Sequence, residues 1–276
     1  MNTQVIHLKE RFPFLGENGC DPTLTVYIQE NMIKMGWAEK KRPAILVCPG
    51  GGYTLVSERE AEPVALNLLP WGYNVFVLDY SVAPHTFPTQ LREVAAAMEL
   101  IYENQDSWHV DTDKIAILGF SAGGHLAGHY SNCYDIPEVR QLFPESKAVN
   151  ASILCYPVIT ADPRHCHLGS FQNLTGHEAL TPEEIEKYSL DKQVSDQTPP
   201  TFLWHTATDG GVPVMNTILY AQALAEHKRP FAVHIYPLGP HGLSTSDEQT
   251  MDIITPGMVH AADWLDALKK WLKLTF

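Results

Sequence analysis

Residues 114–127 read Lys-Ile-Ala-Ile-Leu-Gly-Phe-Ser-Ala-Gly-Gly-His-Leu-Ala. Ile115 to Leu118 is an unbroken apolar run, the pattern of a strand buried on both faces of a largely parallel sheet. From Ala122 onward the chain reads as a helix. Between the two lies Gly119-Phe120-Ser121-Ala122-Gly123, a G-x-S-x-G turn whose flanking glycines let the backbone pass sharply from strand to helix. Such a turn lifts the serine oxygen above the sheet edge, at a helix N-terminus whose free amides favour developing negative charge. In isolation the pattern is a glycine turn with an incidental serine; a strand before it and a helix after it give it chemical meaning.

Working outward, seven more short β-branched or apolar runs appear: VIHL near the N-terminus, TVYIQE from Thr25, AILVC from Ala44, NVFVLDY from Asn74, ASILCYP from Ala151, TFLWHTA from Thr201 and AVHIYP from Ala232. Helical segments separate them where parallel crossovers require it. Ser57 followed by Glu60 has the form of a capping box ahead of AEPVALNLL, and Leu91, Val94, Met98, Ile101 and Tyr102 keep a stripe at steps of three and four. Thr181, Pro182 and Glu184 mark another helix start. Thr255 and Pro256 open the last, with Trp264, Leu265, Leu268, Trp271 and Leu272 on one face. The alternation predicts one doubly wound α/β domain over 1–276, with eight mostly parallel strands and helices on both faces. Residues 160–200, between strands six and seven, are polar, rich in Pro, His and Gly, and predicted to hold at most one helix as a small cap-like insertion.

The 276 residues are 45% apolar and 18% charged, below the roughly 25% charged of an average chain, so a sizeable core can be buried. The net charge of −13 has the wrong sign for counterion-release binding to nucleic acid or attraction to an anionic bilayer. No run approaches a membrane span, and MNTQVIHLKE lacks the basic and apolar regions of a signal peptide. Five cysteines, Cys20, Cys48, Cys133, Cys155 and Cys166, form a sparse, odd set that suggests a reducing compartment. The expectation is a cytoplasmic protein without nucleic-acid or membrane partners, with its homo-oligomeric state left open.

Besides GFSAGGHLA, the segments CPGGGY (48–53), LDYSVAPHTFPTQLRE (78–93), PPTFLWHTATDGGVP (199–213) and YPLGPHGLS (236–244) make the chain resemble the α/β-hydrolase fold family. Within it, the likeness is to the small serine esterases related to hormone-sensitive lipase and to carbohydrate acetyl esterases, and it covers nearly the whole chain. The resemblance implies a triad in the order nucleophile, acid, histidine. Ser121 takes the first place. Asp209 follows TFLWHTAT at the carboxyl end of a strand, where ligand sites of open α/β sheets collect; Asp79 and Asp196 are rivals outside the matching loop. Of thirteen histidines, His241 stands in the loop GPHGL past the last strand, whereas His125 lies one turn into the helix after Ser121 and is read as structural. His165 and His167 flank Cys166, a spacing too sparse for a metal site, and no metal or cofactor is expected.

By the same resemblance, an oxyanion hole takes amides from Pro49-Gly50-Gly51-Gly52, with Gly51 and Gly52 favoured over Gly50, together with the amide of Ala122. Pro49 stands where lipase-like relatives carry histidine, so any hydrogen bond from that side chain is lost while the amides remain. Tyr53, beside the glycines, is the candidate substrate-binding residue at the acyl pocket. The implied activity is hydrolysis of short, acetyl-type esters, of sugars or xylan fragments, through an acyl-enzyme. Two alternatives are a small serine peptidase of the prolyl-oligopeptidase type, for whose extra domain the chain has no room, and a non-catalytic ligand-binding protein on the same fold.

Overall fold

A computed structural model describes residues 1–276. Eight strands form one sheet: β1 Asn2–His7, β2 Thr23–Ile28, β3 Arg42–Cys48, β4 Asn74–Asp79, β5 Val110–Phe120, β6 Ala151–Cys155, β7 Thr201–Thr206 and β8 Phe231–Tyr236. Their order is β1-β2-β4-β3-β5-β6-β7-β8. β1 and β2 are antiparallel to their neighbours and the other pairings are parallel. All eight apolar runs of the sequence are therefore strands of one mostly parallel sheet.

Ten α-helices accompany it: α1 Leu8–Arg11, α2 Glu62–Leu68, α3 Thr89–Glu103, α4 Ser121–Cys133, α5 Pro137–Arg140, α6 Leu168–Thr175, α7 Pro182–Tyr188, α8 Met215–Glu226, α9 Pro256–Ala261 and α10 Trp264–Thr275. Strand side chains alternate between two cores. Leu46, Ile115 and Ile117 pack with Val94 of α3, Leu126 of α4 and Leu224 of α8. Ile45, Val47, Ala116 and Leu118 face the other way, onto Val64 and Leu68 of α2 and Trp264, Leu268 and Leu272 of α10. This two-sided burial is why β3 and β5 read as continuous rather than alternating apolar runs. β8 ends the sheet and differs accordingly: Phe231, Val233 and Ile235 are exposed. No helix is long and apolar enough to cross a membrane.

Three local expectations are corrected. Ser57 caps nothing with its side chain, and Glu60, read as its capping-box partner, turns inward at 3% exposure. Burial and two hydrogen bonds deeper in the molecule outcompete the local cap. Residues 160–200 hold two helices, α6 and α7, instead of at most one. The capping box at α7 is present: Thr181 Oγ1 accepts from the Glu184 amide at 3.2 Å and Glu184 Oε2 from the Thr181 amide at 2.9 Å. The last helix is divided at Ala262–Asp263, where Trp264 drops into the core and donates Nε1–H to the Ser244 carbonyl at 3.0 Å.

Candidate active site

Ser121 follows β5 and starts α4 with φ of 53°, a left-handed conformation costly for a non-glycine residue and held by its surroundings. The flanking glycines are steric necessities. A Cβ on Gly119 would sit 2.1 Å from the Gly123 carbonyl oxygen, and one on Gly123 would sit 2.2 Å from the carbonyl oxygens of Cys48 and Pro49. The turn can close, and α4 can lie against the end of β3, because neither residue has a side chain. The sharp bend leaves Ser121 7% exposed, with its hydroxyl facing the loops at the carboxyl ends of β7 and β8.

Those loops bring Asp209 and His241 to it. His241 Nε2 lies 2.7 Å from Ser121 Oγ, and His241 Nδ1 lies 2.6 Å from Asp209 Oδ2. The tautomer that satisfies both contacts carries its proton on Nδ1, donates to the carboxylate and accepts from the serine hydroxyl. Asp209 Oδ1 accepts the amides of Gly211 at 2.8 Å and Val212 at 2.9 Å. Burial resists ionisation of Asp209, but hydrogen bonds from His205 and His241 and the charge of His241 hold its carboxyl well below the usual range. Asp79, at the end of β4, and Asp196 make no contact with His241; Asp209 does.

Sequence reasoning missed His205. This fully buried imidazole on β7 sets Nε2 3.2 Å from Asp209 Oδ2 and 3.0 Å from the Val212 carbonyl, with Nδ1 2.8 Å from Thr217 Oγ1. The tautomer protonated at Nε2 satisfies all three: it donates toward Asp209 and Val212 and accepts from the Thr217 hydroxyl. Within a run that otherwise reads as core strand, one polar residue four positions before the acid is the signal that could have found it.

The glycine loop follows β3. Gly51 and Gly52 have φ of 127° and 64°, and a Cβ on Gly51 would lie 2.0 Å from the Leu55 carbonyl oxygen, so glycine is required there. The Gly50 amide donates to Glu60 Oε2 at 2.7 Å. The amides of Gly51 and Gly52 have no protein acceptor, and Ala122, in the first turn of α4, has none within its helix. Gly50 itself lies against the serine, since a Cβ placed on it would be 3.0 Å from Ser121 Cβ.

Tyr53 is corrected. It is 1% exposed, packs on Tyr80, and its hydroxyl lies 3.0 Å from His125 Nδ1, so it presents no surface to a ligand. His125 in turn sets Nε2 2.9 Å from the Tyr188 carbonyl; burial lowers its pKa to about 4. The residues that do reach the rim come from α6. Asn173 Nδ2 donates to the Gly52 carbonyl at 2.8 Å and to Thr54 Oγ1 at 2.7 Å, seating the helix on the glycine loop. At the other end of α6, His167 Nδ1 lies 2.8 Å from Ser170 Oγ, and burial followed by the charge of His241 lowers the His167 pKa. His165, His167 and Cys166 belong to no group of three or more His, Cys, Asp or Glu placed to hold a metal ion.

Comparisons with known proteins show what the chain as a whole is similar to. An endo-1,4-beta-xylanase B of Butyrivibrio fibrisolvens is 37% identical over 241 residues, 84% of this chain and 36% of the relative. An acetylxylan esterase of Xylanibacter ruminicola is 34% identical over 206 residues, 72% of this chain and 40% of the relative. The chain thus spans well under half the length of these curated relatives. The crystal structure of an acetyl ester-xyloside bifunctional hydrolase from Caldicellulosiruptor lactoaceticus superposes with a TM-score of 0.84 at 34% identity, covering 98% of this chain and 95% of that one. Residues 33–224 match the BD-FAE family. The chain has the α/β-hydrolase fold and belongs to the BD-FAE family.

Proposed function

We propose that this protein is a serine esterase that removes short acyl groups, acetyl foremost, from sugars or xylan fragments. The observation that carries the reading is the unbroken line from Ser121 Oγ to His241 at 2.7 Å and from His241 to Asp209 at 2.6 Å, beside amides that lack acceptors. His241 takes the hydroxyl proton as Ser121 attacks the ester carbonyl, and Asp209 holds the ring and stabilises its cation. The amides of Gly51, Gly52 and Ala122 receive the charge on the carbonyl oxygen. His241 then protonates the departing alcohol, and the acyl-enzyme is hydrolysed by water that gives its proton to the same ring.

The substrate class rests on the relatives and on the rim. The relatives' names include an acetylxylan esterase and an acetyl ester-xyloside hydrolase. Residues 160–200 act as a small cap on what we take as a single domain, and α6 with the residue before it brings the polar Asn173 and His167 to the site, groups suited to hydroxyls rather than to a long alkyl chain. The five cysteines are unpaired, which supports a reducing compartment such as the cytoplasm.

Replacing Ser121 by Ala should leave the fold intact and lower turnover of p-nitrophenyl acetate by about 10⁶-fold, as in comparable triads. Residual turnover near wild type would remove Ser121 from the chemistry. Across p-nitrophenyl esters, acetate should be preferred over octanoate; the reverse order would contradict the short-acyl reading.

A further inference from the structure

Glu60 lies beside the site with both carboxylate oxygens held by protein donors. It is 3% exposed and forms no ion pair with a lysine or arginine, so burying its carboxylate costs free energy that an apolar side chain would not. Its two oxygens face two different loops. Oε2 accepts the Gly50 amide at 2.7 Å, and Oε1 accepts the Tyr156 hydroxyl at 2.6 Å. The Tyr156 oxygen accepts the Ser244 amide at 2.8 Å, and Ser244 Oγ returns a hydrogen bond to the Arg59 carbonyl at 2.5 Å. Ser244 is three residues past His241, and the Tyr156 ring meets the His241 ring edge-on at 5.1 Å. One carboxylate therefore ties together the glycine loop after β3, the end of β6 and the histidine loop after β8.

We propose that Glu60 is a positioning residue for acyl transfer. Its carboxylate turns the Gly50 amide away from the reaction centre, leaving the next two amides of the glycine loop to face it, and through Tyr156 it fixes the histidine loop in the same register. The proposal rests on the esterase reading. The chemistry of the group explains why a carboxylate stands there: it is acceptor-only, and both partners are donors. Burial pushes the pKa of Glu60 up, against the hydrogen bonds from Tyr156 and Gly50 and the charges of His241 and Arg59. Glutamine has the same shape but a single acceptor oxygen. Its oxygen can accept the Gly50 amide or the Tyr156 hydroxyl but not both: its NH₂ then either faces the Gly50 N–H or leaves the Tyr156 proton without this acceptor.

The test measures p-nitrophenyl acetate hydrolysis by the wild type, Glu60→Gln, Tyr156→Phe and the double variant. Competent sites are counted by titration with a fluorophosphonate, and thermal midpoints are recorded alongside. Glu60→Gln should lower kcat per titrated site by about 10- to 100-fold with KM changed less than about 2-fold, somewhat below the loss of an oxyanion donor itself. Tyr156→Phe should lower kcat less. The double variant should be no worse than Glu60→Gln by more than about 2-fold, because both changes break one network. Wild-type kcat per titrated site in Glu60→Gln, with only the midpoint and the number of sites reduced, would overturn the proposal and leave the esterase reading standing. Additive losses, or a raised KM at unchanged kcat, would also overturn it. A wild type that neither hydrolyses the ester nor reacts with the fluorophosphonate would remove the esterase reading and this proposal together.

Discussion

The turn at Gly119–Gly123 and the polar shell around Asp209 and Glu60 both act within a few ångströms of Ser121, yet they are built by opposite means. The turn is local. Two missing side chains and a strained serine φ of 53° shape it, and a Cβ at either glycine would collide with backbone 2.1–2.2 Å away. The shell is long-range: Glu60 meets Tyr156 across 96 positions, and its members are ordinary polar residues with no motif. Steric exclusion leaves an obligatory residue in the sequence, whereas a hydrogen bond between distant elements leaves none. Substitutions should therefore be near all-or-none in the turn and graded in the shell.

The sharpest contrast lies in the glycines. Gly123→Ala should abolish ester hydrolysis and lower soluble yield, because backbone carbonyls at 2.2 Å cannot yield as a flexible side chain can. Gly210→Ala, next to Asp209 but with nothing within 4 Å of its Cβ position, should keep near wild-type activity. Equal behaviour of the two in an esterase assay would dissolve the steric half of the comparison.

An intermediate effect is expected in the shell. His205→Phe removes the donor behind Asp209 and leaves the Val212 carbonyl without that partner. A hydrogen bond to a charged group contributes roughly 1.5–3 kcal/mol, which sets about 10- to 100-fold as the ceiling on the loss of kcat, and about 10-fold is expected because three other donors remain on Asp209. Steady-state kinetics check this, and an unchanged kcat would make His205 a packing residue.

The smallest effect is on stability against acid. His125 has its pKa lowered by burial from 6.5 to about 4, and burial lowers that of His129 well below the usual histidine value. Folding therefore excludes protons that the unfolded chain binds: these contributions are complete above pH 6.5 and are lost as pH falls toward 4, on the order of 3 kcal/mol for His125. Glu93 opposes them. Burial raises its pKa to about 7, against hydrogen bonds from Ser81, so its contribution is full below 4.5 and lost as pH rises to 7. The thermal midpoint should fall gently from pH 6.5 to 4.5 and more steeply below; a midpoint independent of pH over that range would contradict the buried neutral histidines.

Most of the architecture was legible because parallel strands buried on two faces write continuous apolar runs, and the strand–turn–helix context marks Ser121. Asp209 and His241 stand in loops at strand ends, where the resemblance implied the acid and the base, and the structure joins their side chains to Ser121. The failures share a cause. Ser57–Glu60 has the spacing of a capping box, but tertiary partners claimed Glu60. Tyr53 adjoins the glycine loop in sequence, yet at φ of 58° its side chain turns into the core toward His125. The second helix in 160–200 was hidden by the polarity of its segment, although Asn173 of α6 seats that segment on the glycine loop.

The most direct measurement of the central claim is mass spectrometry of the wild-type chain, acid-quenched during turnover of an acetyl ester and digested to peptides. The account predicts one acetyl group on the peptide carrying Ser121, absent from Asp209→Asn quenched at the same early time because that variant acylates slowly. An acetyl group on another residue, or none on the wild type during active hydrolysis, would contradict it.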